Sequence, residues 1–369
     1  MIPRGHYYRD DVLEQEINCL FQSGYEFVCL LSEVANDKDF VCIDYRGCAV
    51  VVQNFKGELR AFQNVCTHRF NAIQHDERGN RSLTCQYHGW TFNSRGCPIG
   101  VEARVVSGSG GALDLCLPEY RIDTCGQFVF IKRSASDLTL PEFLGGYYAV
   151  LEEISQHLGP VTLFRSVPHK ANWKVLVENV IDNVHCPILH RDTFVAFGFC
   201  RTPVEQTEID GPHSSWHVPR VEIAREKLRA RAMAHLDARA YKHNSFYHIY
   251  IFPNLFIAST EGASFYIGHA LPIGPETTSL RARYLGPRVE LKEAHRARQD
   301  VLDAQSEASG LRIVEEDRFI LESIQRGVRL STKPGAIVKG EPRIEAFMKT
   351  YVALMDGNAS SRDKSSEAI

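Results

Sequence analysis

Long apolar runs are absent from this 369-residue sequence, and so is any strong excess of one charge. A membrane-spanning helix needs about 20 consecutive apolar residues, whereas the least polar long stretch, residues 245–260, is interrupted by His248, Pro253 and Asn254. The 42 basic and 45 acidic residues leave a net charge of −3, which gives no electrostatic reason to expect binding to nucleic acid or to an anionic membrane. The first residues also lack the apolar core of a secretory signal, so we expect a cytoplasmic protein.

Nucleotide-binding fingerprints are missing as well. The glycine-rich stretch SGSGGA at residues 107–112 fits neither GxGxxG nor GxxxxGK[ST], and it is interpreted as a flexible loop. The chain therefore carries no flavin or nicotinamide motif. Its 44% hydrophobic and 24% charged residues exclude a largely disordered protein, and its length suggests two or three domains.

Cysteine is plentiful, with eleven residues, an odd number. Without an export signal, this count predicts reduced thiols rather than a disulfide framework. Several cysteines, such as Cys19, Cys29, Cys42 and Cys48, lie inside apolar runs. We expect these four to be small buried hydrophobic residues.

The hydrophobic periodicity divides the chain into four parts. Residues 1–25 carry an amphipathic helix, and residues 26–147 contain short β-type runs separated by glycine-bearing turns. Residues 148–356 mix helices and strands, which predicts an α+β domain with an antiparallel sheet, and residues 357–369 are small and polar and are expected to be disordered. In the third part, helices are predicted at residues 173–186 and 311–328, and strands at residues 245–260, 264–271 and 278–285.

Two cysteine–histidine pairs lie in predicted loops of the β region. Cys66 and His68 form C-x-H, and Cys85 and His88 form C-x-x-H. Two thiolates and two imidazoles suit either tetrahedral zinc or a mixed-ligand [2Fe–2S] cluster. Zinc fingers pair Cys with Cys and His with His, whereas here each loop offers one of each. The spacing therefore favours a cluster in which the two cysteines hold one iron and the two histidines hold the other.

A second candidate metal site begins on the predicted helix at residues 173–186. Glu178, Asp182 and His185 share one face of that helix, and His190 follows shortly after its expected end at Pro187. Two histidines on either side of a helix end can converge on one metal.

The predicted helix at residues 311–328 offers the missing anion. Asp317 falls within its apolar stripe, where a carboxylate is costly unless it is paired or bound to a metal. Asp317 is thus the best candidate for the carboxylate of a 2-His-1-carboxylate iron site, the alternative being an ion pair with an arginine. The neighbouring Glu315, Glu316 and Glu322 are expected to point elsewhere.

These motifs together resemble one protein family. Residues 64–96, NVCTHRFNAIQHDERGNRSLTCQYHGWTFNSRG, are similar to the Rieske signature of ring-hydroxylating oxygenase α subunits, with Gln86 where many members carry proline. Two further motifs resemble the mononuclear iron site of the same family. They are E-N-x-x-D-x-x-H-x₄-H at residues 178–190 and E-D-x₄-E-x-x-Q at residues 316–325. The resemblance spans nearly the whole chain and is to the short α-subunit class of Rieske non-haem iron oxygenases.

The resemblance implies an α+β fold class, in which an all-β Rieske domain precedes a catalytic domain with a central antiparallel sheet of the helix-grip, START-like type. It implies two metal centres: a [2Fe–2S] cluster on Cys66, His68, Cys85 and His88, and a mononuclear Fe(II) on His185, His190 and Asp317. Asp182 would bridge His88 of one subunit to His185 of the next in a head-to-tail homotrimer, and Asn179 would take a weaker part near the iron.

The same resemblance implies a terminal oxygenase that uses O₂ and electrons from NAD(P)H. The electrons would come through a separate reductase, with or without a ferredoxin, and an α₃β₃ assembly with a small β subunit is the alternative to the homotrimer. A different class of function also stays open, a Rieske electron-transfer protein whose second domain has lost its iron.

The substrate is a small molecule whose class the aromatic segments restrict. Two aromatic segments could line a pocket for a flat aromatic ring or for a quaternary ammonium group. They are FVAFGFC at residues 194–200 and SFYHIYIFPNLF at residues 245–256. Carnitine-type members tend to carry Glu at the bridging position, whereas this chain has Asp182. This difference favours an aromatic compound or aromatic acid, with demethylation, natural-product oxidation and mono- or dihydroxylation all open.

Overall fold

The computed structural model describes residues 1–100, 114–182, 184–199, 206–218, 230, 233–236, 241, 243, 245–290 and 292–366. The chain divides into two compact units, Gln22–Phe143 and Met1–Phe21 with Leu144–Ile369. The glycine-rich stretch at residues 107–112 lies outside the described residues. Within the described part of the chain, no helix is long and apolar enough to cross a membrane.

The first unit is a seven-stranded antiparallel sheet. Its strands follow the order β1-β7-β6-β4-β3-β2-β5. Runs rich in valine, isoleucine and phenylalanine form β2, β3 and β7, because such side chains pack well on a pleated surface. The strands are β1 (Tyr25–Leu30), β2 (Asp39–Tyr45), β3 (Cys48–Phe55), β4 (Glu58–Gln63), β5 (Arg78–Asn80), β6 (Glu119–Cys125) and β7 (Phe128–Lys132).

The second unit combines another seven-stranded antiparallel sheet with helices, in the order β8-β14-β13-β12-β11-β10-β9. Its strands are β8 (Leu158–His169), β9 (Gln206–Asp210), β10 (His213–Val218), β11 (Phe246–Ile251), β12 (Leu255–Thr260), β13 (Ser264–Gly274) and β14 (Thr277–Pro287). Its α-helices are α1 (Asp10–Glu16), α3 (Tyr147–His157), α4 (Trp173–Ile181), α5 (Cys186–Leu189), α6 (Glu293–Leu330) and α7 (Pro342–Ser366), and α2 (Leu140–Leu144) leads into this unit. The predicted fold class, an all-β domain followed by an α+β domain with an antiparallel sheet, is confirmed.

Several element boundaries differ from the sequence-based expectations. The strand predicted at residues 245–260 is the hairpin of β11 and β12, because Pro253 cannot donate to a ladder. The N-terminal helix groups with the second unit rather than standing apart. The last helix continues to Ser366, where a disordered tail from residue 357 is expected; no proline interrupts it.

The expectation that every cysteine is a free thiol is wrong for one pair. Cys97 and Cys116 form a disulfide, and they lie 19 residues apart in the β unit. An odd number of cysteines in the sequence cannot reveal which two thiols the fold brings into contact. The eight other cysteines that the structure describes are buried and form no disulfide, including Cys19, Cys29, Cys42 and Cys48 as expected.

A buried ion pair joins the N-terminal segment to the helix that precedes the candidate iron site. Lys174 and Glu16 are both fully buried, and the Lys174 Nζ lies 2.6 Å from Glu16 Oε1. Trp173 Nε1 donates to the other oxygen of Glu16 at 2.8 Å, and the Tyr351 hydroxyl on α7 donates to Oε1 at 2.5 Å. This network anchors the start of α4 to α1 and α7.

Glu16→Gln is expected to lower the free energy of unfolding by about 3–5 kcal/mol, because the buried Lys174 ammonium then lacks its anionic partner. Urea denaturation followed by circular dichroism measures the change. Glu345→Gln, which breaks the exposed pair between Glu345 and Lys349 on α7, is the matched control and should have no measurable effect. Equal losses in the two variants would contradict this account of the buried pair.

Candidate functional site

Two loops of the β unit carry the cysteine–histidine pairs, and their backbones are alike. The N–H of Phe70 donates to the Cys66 carbonyl at 2.9 Å, and the N–H of Gly89 donates to the Cys85 carbonyl at 3.0 Å. Each turn therefore begins at a cysteine and contains the histidine of its pair. The left-handed backbone that closes the second turn (φ +73°) falls on Gly89, a residue that adopts it without steric cost.

The two loops meet with like side chains together. Cys66 and Cys85 are both buried, and each thiol contributes to the pKa shift of the other. The His68 and His88 rings lie with their centroids 4.5 Å apart. Thiol beside thiol and imidazole beside imidazole is the pairing that a mixed-ligand [2Fe–2S] cluster needs, since one metal takes the sulfurs and the other takes the nitrogens.

The surroundings of these side chains fit such a cluster. His68 Nδ1 is buried without a hydrogen-bond partner among the described residues, while the Trp90 ring stacks on His68 at 4.7 Å. The Asn71 amide donates to Cys85 Sγ at 3.5 Å. Burial opposes ionisation of Cys85, but hydrogen bonds from the Tyr87 backbone and from Asn71 outweigh it and lower the pKa of the thiol. An unpartnered imidazole nitrogen and a stabilised thiolate are suitable metal ligands.

The second group of candidate residues lies where α4 ends. Helix α4 stops at Ile181, and Asp182 is extended with φ −81° and ψ 132°. The short helix α5 then runs between His185, its N-cap, and His190, its C-cap. The predicted single helix to residue 186 is therefore wrong. Pro187 fits the first turn of a new helix but could not sit inside a continued one, where it would clash with the preceding turn.

This break brings both histidines to one point. Their Nε2 atoms lie 3.2 Å apart, and Asp317 Oδ1, from the middle of α6, is 3.2 Å from His190 Nε2 and 3.8 Å from His185 Nε2. Asp317 Oδ1 is buried and has no hydrogen-bond partner with acceptable geometry among the described residues. A buried carboxylate oxygen beside two imidazole nitrogens fits the 2-His-1-carboxylate set that holds non-haem Fe(II).

Each of these histidines is oriented by a carboxylate behind it. His185 Nδ1 donates to Asp182 Oδ2 at 3.0 Å, and the backbone N–H of Val184 donates to Asp182 Oδ1 at 2.7 Å. Burial opposes ionisation of Asp182, but these two donors prevail and hold its pKa below the usual range. His190 Nδ1 donates to Glu316 Oε2 at 2.8 Å. With Nδ1 so engaged, each ring presents Nε2 to the shared point.

Glu316 was expected to point away from the site, and that expectation is wrong. Besides holding His190, it accepts a hydrogen bond from the Thr193 hydroxyl at 3.0 Å and is paired with Arg312. The inward face of α6 consists of Asp317, Leu321 and Gln325 at steps of four, and Glu316 lies one residue, about 100°, around the helix from Asp317. The apolar stripe alone cannot show a carboxylate at its edge that turns towards another element.

Two further positions differ from the sequence-based expectations. Glu178, grouped by periodicity with Asp182 and His185, instead accepts a hydrogen bond from the Tyr7 hydroxyl at 2.6 Å, and burial raises its pKa to about 7.

Cys186 was not singled out, yet its Sγ lies 3.8 Å from His185 Nε2. The ligand atoms of His185, Cys186 and His190 all lie within 4.8 Å of one another. Of the two possible third donors, the hard carboxylate of Asp317 suits Fe(II) better than a thiol.

A cavity of about 1480 Å³ opens beside the histidines. Asn179, Asp182, His185, His190 and Asp317 form one part of its wall. Aromatic side chains from the sheet and from the segment after His190 form much of the rest, namely Phe194, Phe199, Trp216, Phe246, Tyr266 and Tyr284. The two aromatic segments predicted to line a pocket, as far as the structure describes them, thus contribute to it. The volume exceeds the usual 300–1,000 Å³ of a small-molecule site.

Two family models match the chain. Residues 152–357 match the family model of the ring hydroxylating alpha subunit (catalytic domain), and residues 25–114 match that of the Rieske [2Fe–2S] domain. The chain therefore belongs to the ring-hydroxylating α-subunit family, with a Rieske domain preceding the catalytic domain. The predicted family is confirmed.

Among characterised relatives, the chain is similar to the 2-halobenzoate 1,2-dioxygenase large subunit of Burkholderia cepacia, with 26% identity over 78% of this chain and 68% of that protein. It is also similar to the carnitine monooxygenase oxygenase subunit of Escherichia coli (strain K12), with 28% identity over 51% of this chain and 52% of that protein. The chain thus spans about two thirds of the first relative and about half of the second.

Two solved structures share the fold. A quaternary ammonium Rieske monooxygenase in complex with an inhibitor superposes with a TM-score of 0.76 at 20% identity, covering 96% of this chain and 94% of the other. A naphthalene 1,2-dioxygenase variant bound to phenanthrene gives a TM-score of 0.76 at 21% identity, covering 96% and 92%. These likenesses establish the fold and leave the substrate open.

Glu316→Ala is expected to weaken Co²⁺ or Fe²⁺ binding at the site of His185, His190 and Asp317 by about 10–100-fold, because His190 loses the acceptor that orients its ring. Glu316→Gln keeps an acceptor oxygen and should fall between the wild type and Glu316→Ala. Titration followed by the ligand-field bands of Co²⁺ measures the affinity. The control is Glu315→Ala, which removes an exposed neighbour paired with Arg318. Wild-type affinity in Glu316→Ala would mean that packing alone holds the ring.

Proposed function

We propose that this chain is the terminal oxygenase component of a multicomponent Rieske oxygenase. The observation that carries the proposal is that His185, His190 and Asp317 meet at the wall of an aromatic cavity. The same chain also brings together the two cysteines, Cys66 and Cys85, and the two histidines, His68 and His88. The family membership supports the same activity. When bound, the mononuclear iron supplies the activation of O₂, and the Rieske cluster supplies the electrons.

The chain's own residues prepare the site for this chemistry. Asp182 and Glu316 fix the two imidazole rings, and Asp317 contributes the negative charge of the ligand set. Phe194 packs edge-on against His190, with ring centroids 5.5 Å apart, and against Phe246, at 4.9 Å. These apolar walls exclude water next to the ligand atoms and offer faces on which a flat ring can stack.

Electrons reach the oxygenase from NAD(P)H through a separate reductase, with or without a ferredoxin, since the sequence has no nucleotide-binding motif. We further propose a head-to-tail homotrimer, with an α₃β₃ complex as the alternative. His88 is exposed, and exposed Phe70 and Tyr87 flank the two histidines. An apolar rim around an exposed ligand suits docking against another subunit.

Asp182 is our proposed link between the two metal centres of neighbouring subunits. Its oxygens each accept one hydrogen bond within the chain, and its side chain is 19% exposed. A carboxylate oxygen has two lone pairs, so Asp182 can accept a further N–H from the partner's imidazole. The weaker role of Asn179, next to Asp182 in the cavity wall, stays a proposal.

An aromatic or other carbocyclic substrate, including an aromatic acid, fits this cavity best. Its aromatic walls also suit a quaternary ammonium group through cation–π attraction, and relatives named for both substrate classes are found. Turnover of a panel from both classes, with a surrogate reductase and identification of the product, separates the two. Consumption of NADH and O₂ without product would be uncoupled turnover and would not count as activity.

The purified protein is expected to be red-brown and to hold three irons per chain, two in the cluster and one mononuclear. Cys66→Ser should remove the colour, while His185→Ala, His190→Ala or Asp317→Ala should keep the visible bands and lose one iron together with product formation. Metal analysis and absorption spectra measure both. Two irons per chain in the wild type would identify an electron carrier instead, and a colourless protein with zinc would contradict the cluster.

Asp182→Asn should retain the cluster and most of the mononuclear iron, because no ligand changes. Reoxidation of the cluster in a single turnover with O₂ and substrate is expected to slow by about 100-fold or more. The reason is that a neutral amide cannot accept hydrogen bonds from both imidazoles as an anionic carboxylate does. Stopped-flow absorbance follows the reoxidation. Asp300→Asn, an exposed aspartate on α6, is the control. Reoxidation at the wild-type rate in Asp182→Asn would leave Asp182 a purely structural role.

A further inference from the structure

Two residues whose rings carry an N–H group are neighbours on the sheet wall of the cavity. Trp216 on β10 and His248 on β11 are direct cross-strand partners, so their side chains share one face of the sheet. Both line the cavity, and both are buried, with 3% and 5% of their surface exposed. Their ring centroids are 6.1 Å apart.

The tautomer of His248 is decided by a buried arginine. Arg343 Nη2, from the first turn of α7, lies 3.1 Å from His248 Nδ1. A guanidinium group can only donate, so Nδ1 must accept and the ring proton must be on Nε2. Arg343 is itself held by the Ser214 hydroxyl, which accepts from its Nε at 2.9 Å. Burial, together with the charge of Arg343, keeps the pKa of His248 well below its ordinary value, so the ring stays neutral.

Neither N–H has an acceptor in the described part of the protein. His248 makes its hydrogen bond to Arg343 through Nδ1, and the residue lines the cavity, so Nε2 is the ring nitrogen left to engage a ligand. Trp216 Nε1 is buried without a partner. A donor that is buried without an acceptor is costly, and in a binding cavity a ligand can supply the acceptor.

We propose that Trp216 and His248 form a donor pair that binds a hydrogen-bond-accepting oxygen of the substrate, a carbonyl or a carboxylate. The inference rests on the proposed oxygenase function and narrows its substrate class. Neither group can act as an acceptor, since an indole only donates and Nδ1 of His248 is already engaged by Arg343. The pair therefore gives no advantage to a quaternary ammonium group and selects carbocyclic substrates that carry an oxygen acceptor.

Direct binding to the iron-loaded protein tests the proposal. The probes are naphthalene, 2-acetylnaphthalene and 2-naphthoate, which share one ring system and differ in the acceptor. Wild-type protein should bind at least one of the two acceptor probes about tenfold or more tightly than naphthalene, as one hydrogen bond to a fixed donor provides. If the carboxylate is the tighter probe, the natural substrate is an acid; if the ketone is tighter, it is a neutral carbonyl compound. Equal affinities for all three probes would overturn the proposal.

Two variants test whether Trp216 and His248 cause the preference for the acceptor probes. His248→Phe and Trp216→Phe each remove one N–H and keep an aromatic ring, so each should reduce the preference for the acceptor probes by about tenfold while changing naphthalene affinity less than twofold. Tyr266→Phe removes a hydroxyl from the same cavity and is the control, with the preference unchanged. A preference that survives in both variants, or that is lost equally in Tyr266→Phe, refutes the donor pair.

The binding readout separates this inference from the proposed function. Selective binding in a protein that forms no product with any substrate would refute the oxygenase function and leave the donor pair standing. Unselective binding in a protein that does hydroxylate aromatic compounds would refute only the donor pair. Because binding affinity requires no turnover, the two failures cannot be confused.

Discussion

The candidate iron site depends on the break in the backbone at Asp182, where α4 gives way to an extended residue and then to the short helix α5. In one continuous helix, His185 would lie on the face of α4 and His190 would lie more than a turn further along the axis. After the break, His185 and His190 cap the two ends of α5, and their Nε2 atoms lie 3.2 Å apart. The break also leaves Asp182 free to fold back on His185, so that ligand and orienting carboxylate come from the same irregular segment.

A second constraint is that polar groups inside this unit must be satisfied by one another. Each histidine is held by a carboxylate, Glu316 is held in turn by Arg312 and Thr193, and Glu16 neutralises the buried Lys174 at the start of α4. Such chains fix side-chain directions far more tightly than apolar packing does, since every member loses a partner if one moves. Among the described residues, the buried groups without a hydrogen-bond partner include Asp317 Oδ1 and Trp216 Nε1 in this unit and His68 Nδ1 in the other. These are the atoms that a metal or a substrate can engage.

The family relationship and the cavity give different kinds of information. Relatives named for halobenzoate and carnitine are 26% and 28% identical to the chain in the matched segments. Structures of a quaternary ammonium monooxygenase and of a naphthalene dioxygenase share its fold at 20% and 21% identity. The same fold thus occurs in proteins named for different substrates, so the fold alone does not identify the substrate of this chain. The features that we propose to be selective lie on neighbouring strands of one sheet, where Phe246 lines the cavity beside Trp216 and His248.

The sequence by itself determined the two-part architecture, the family and the ligand candidates, because these follow from local signals: cysteine–histidine spacing, a histidine pair five residues apart, and strand-length apolar runs bounded by glycine and proline. Four features could not be predicted from the sequence: the end of α4, the inward turn of Glu316, the disulfide between Cys97 and Cys116, and the tautomer of His248. Each of these joins side chains whose meeting depends on how distant segments pack. Arg343 lies 95 residues from His248, and Glu316 lies 126 residues from His190. Periodicity shows which face of an element is apolar, but only the packed structure decides which polar group at the edge of that face finds a partner.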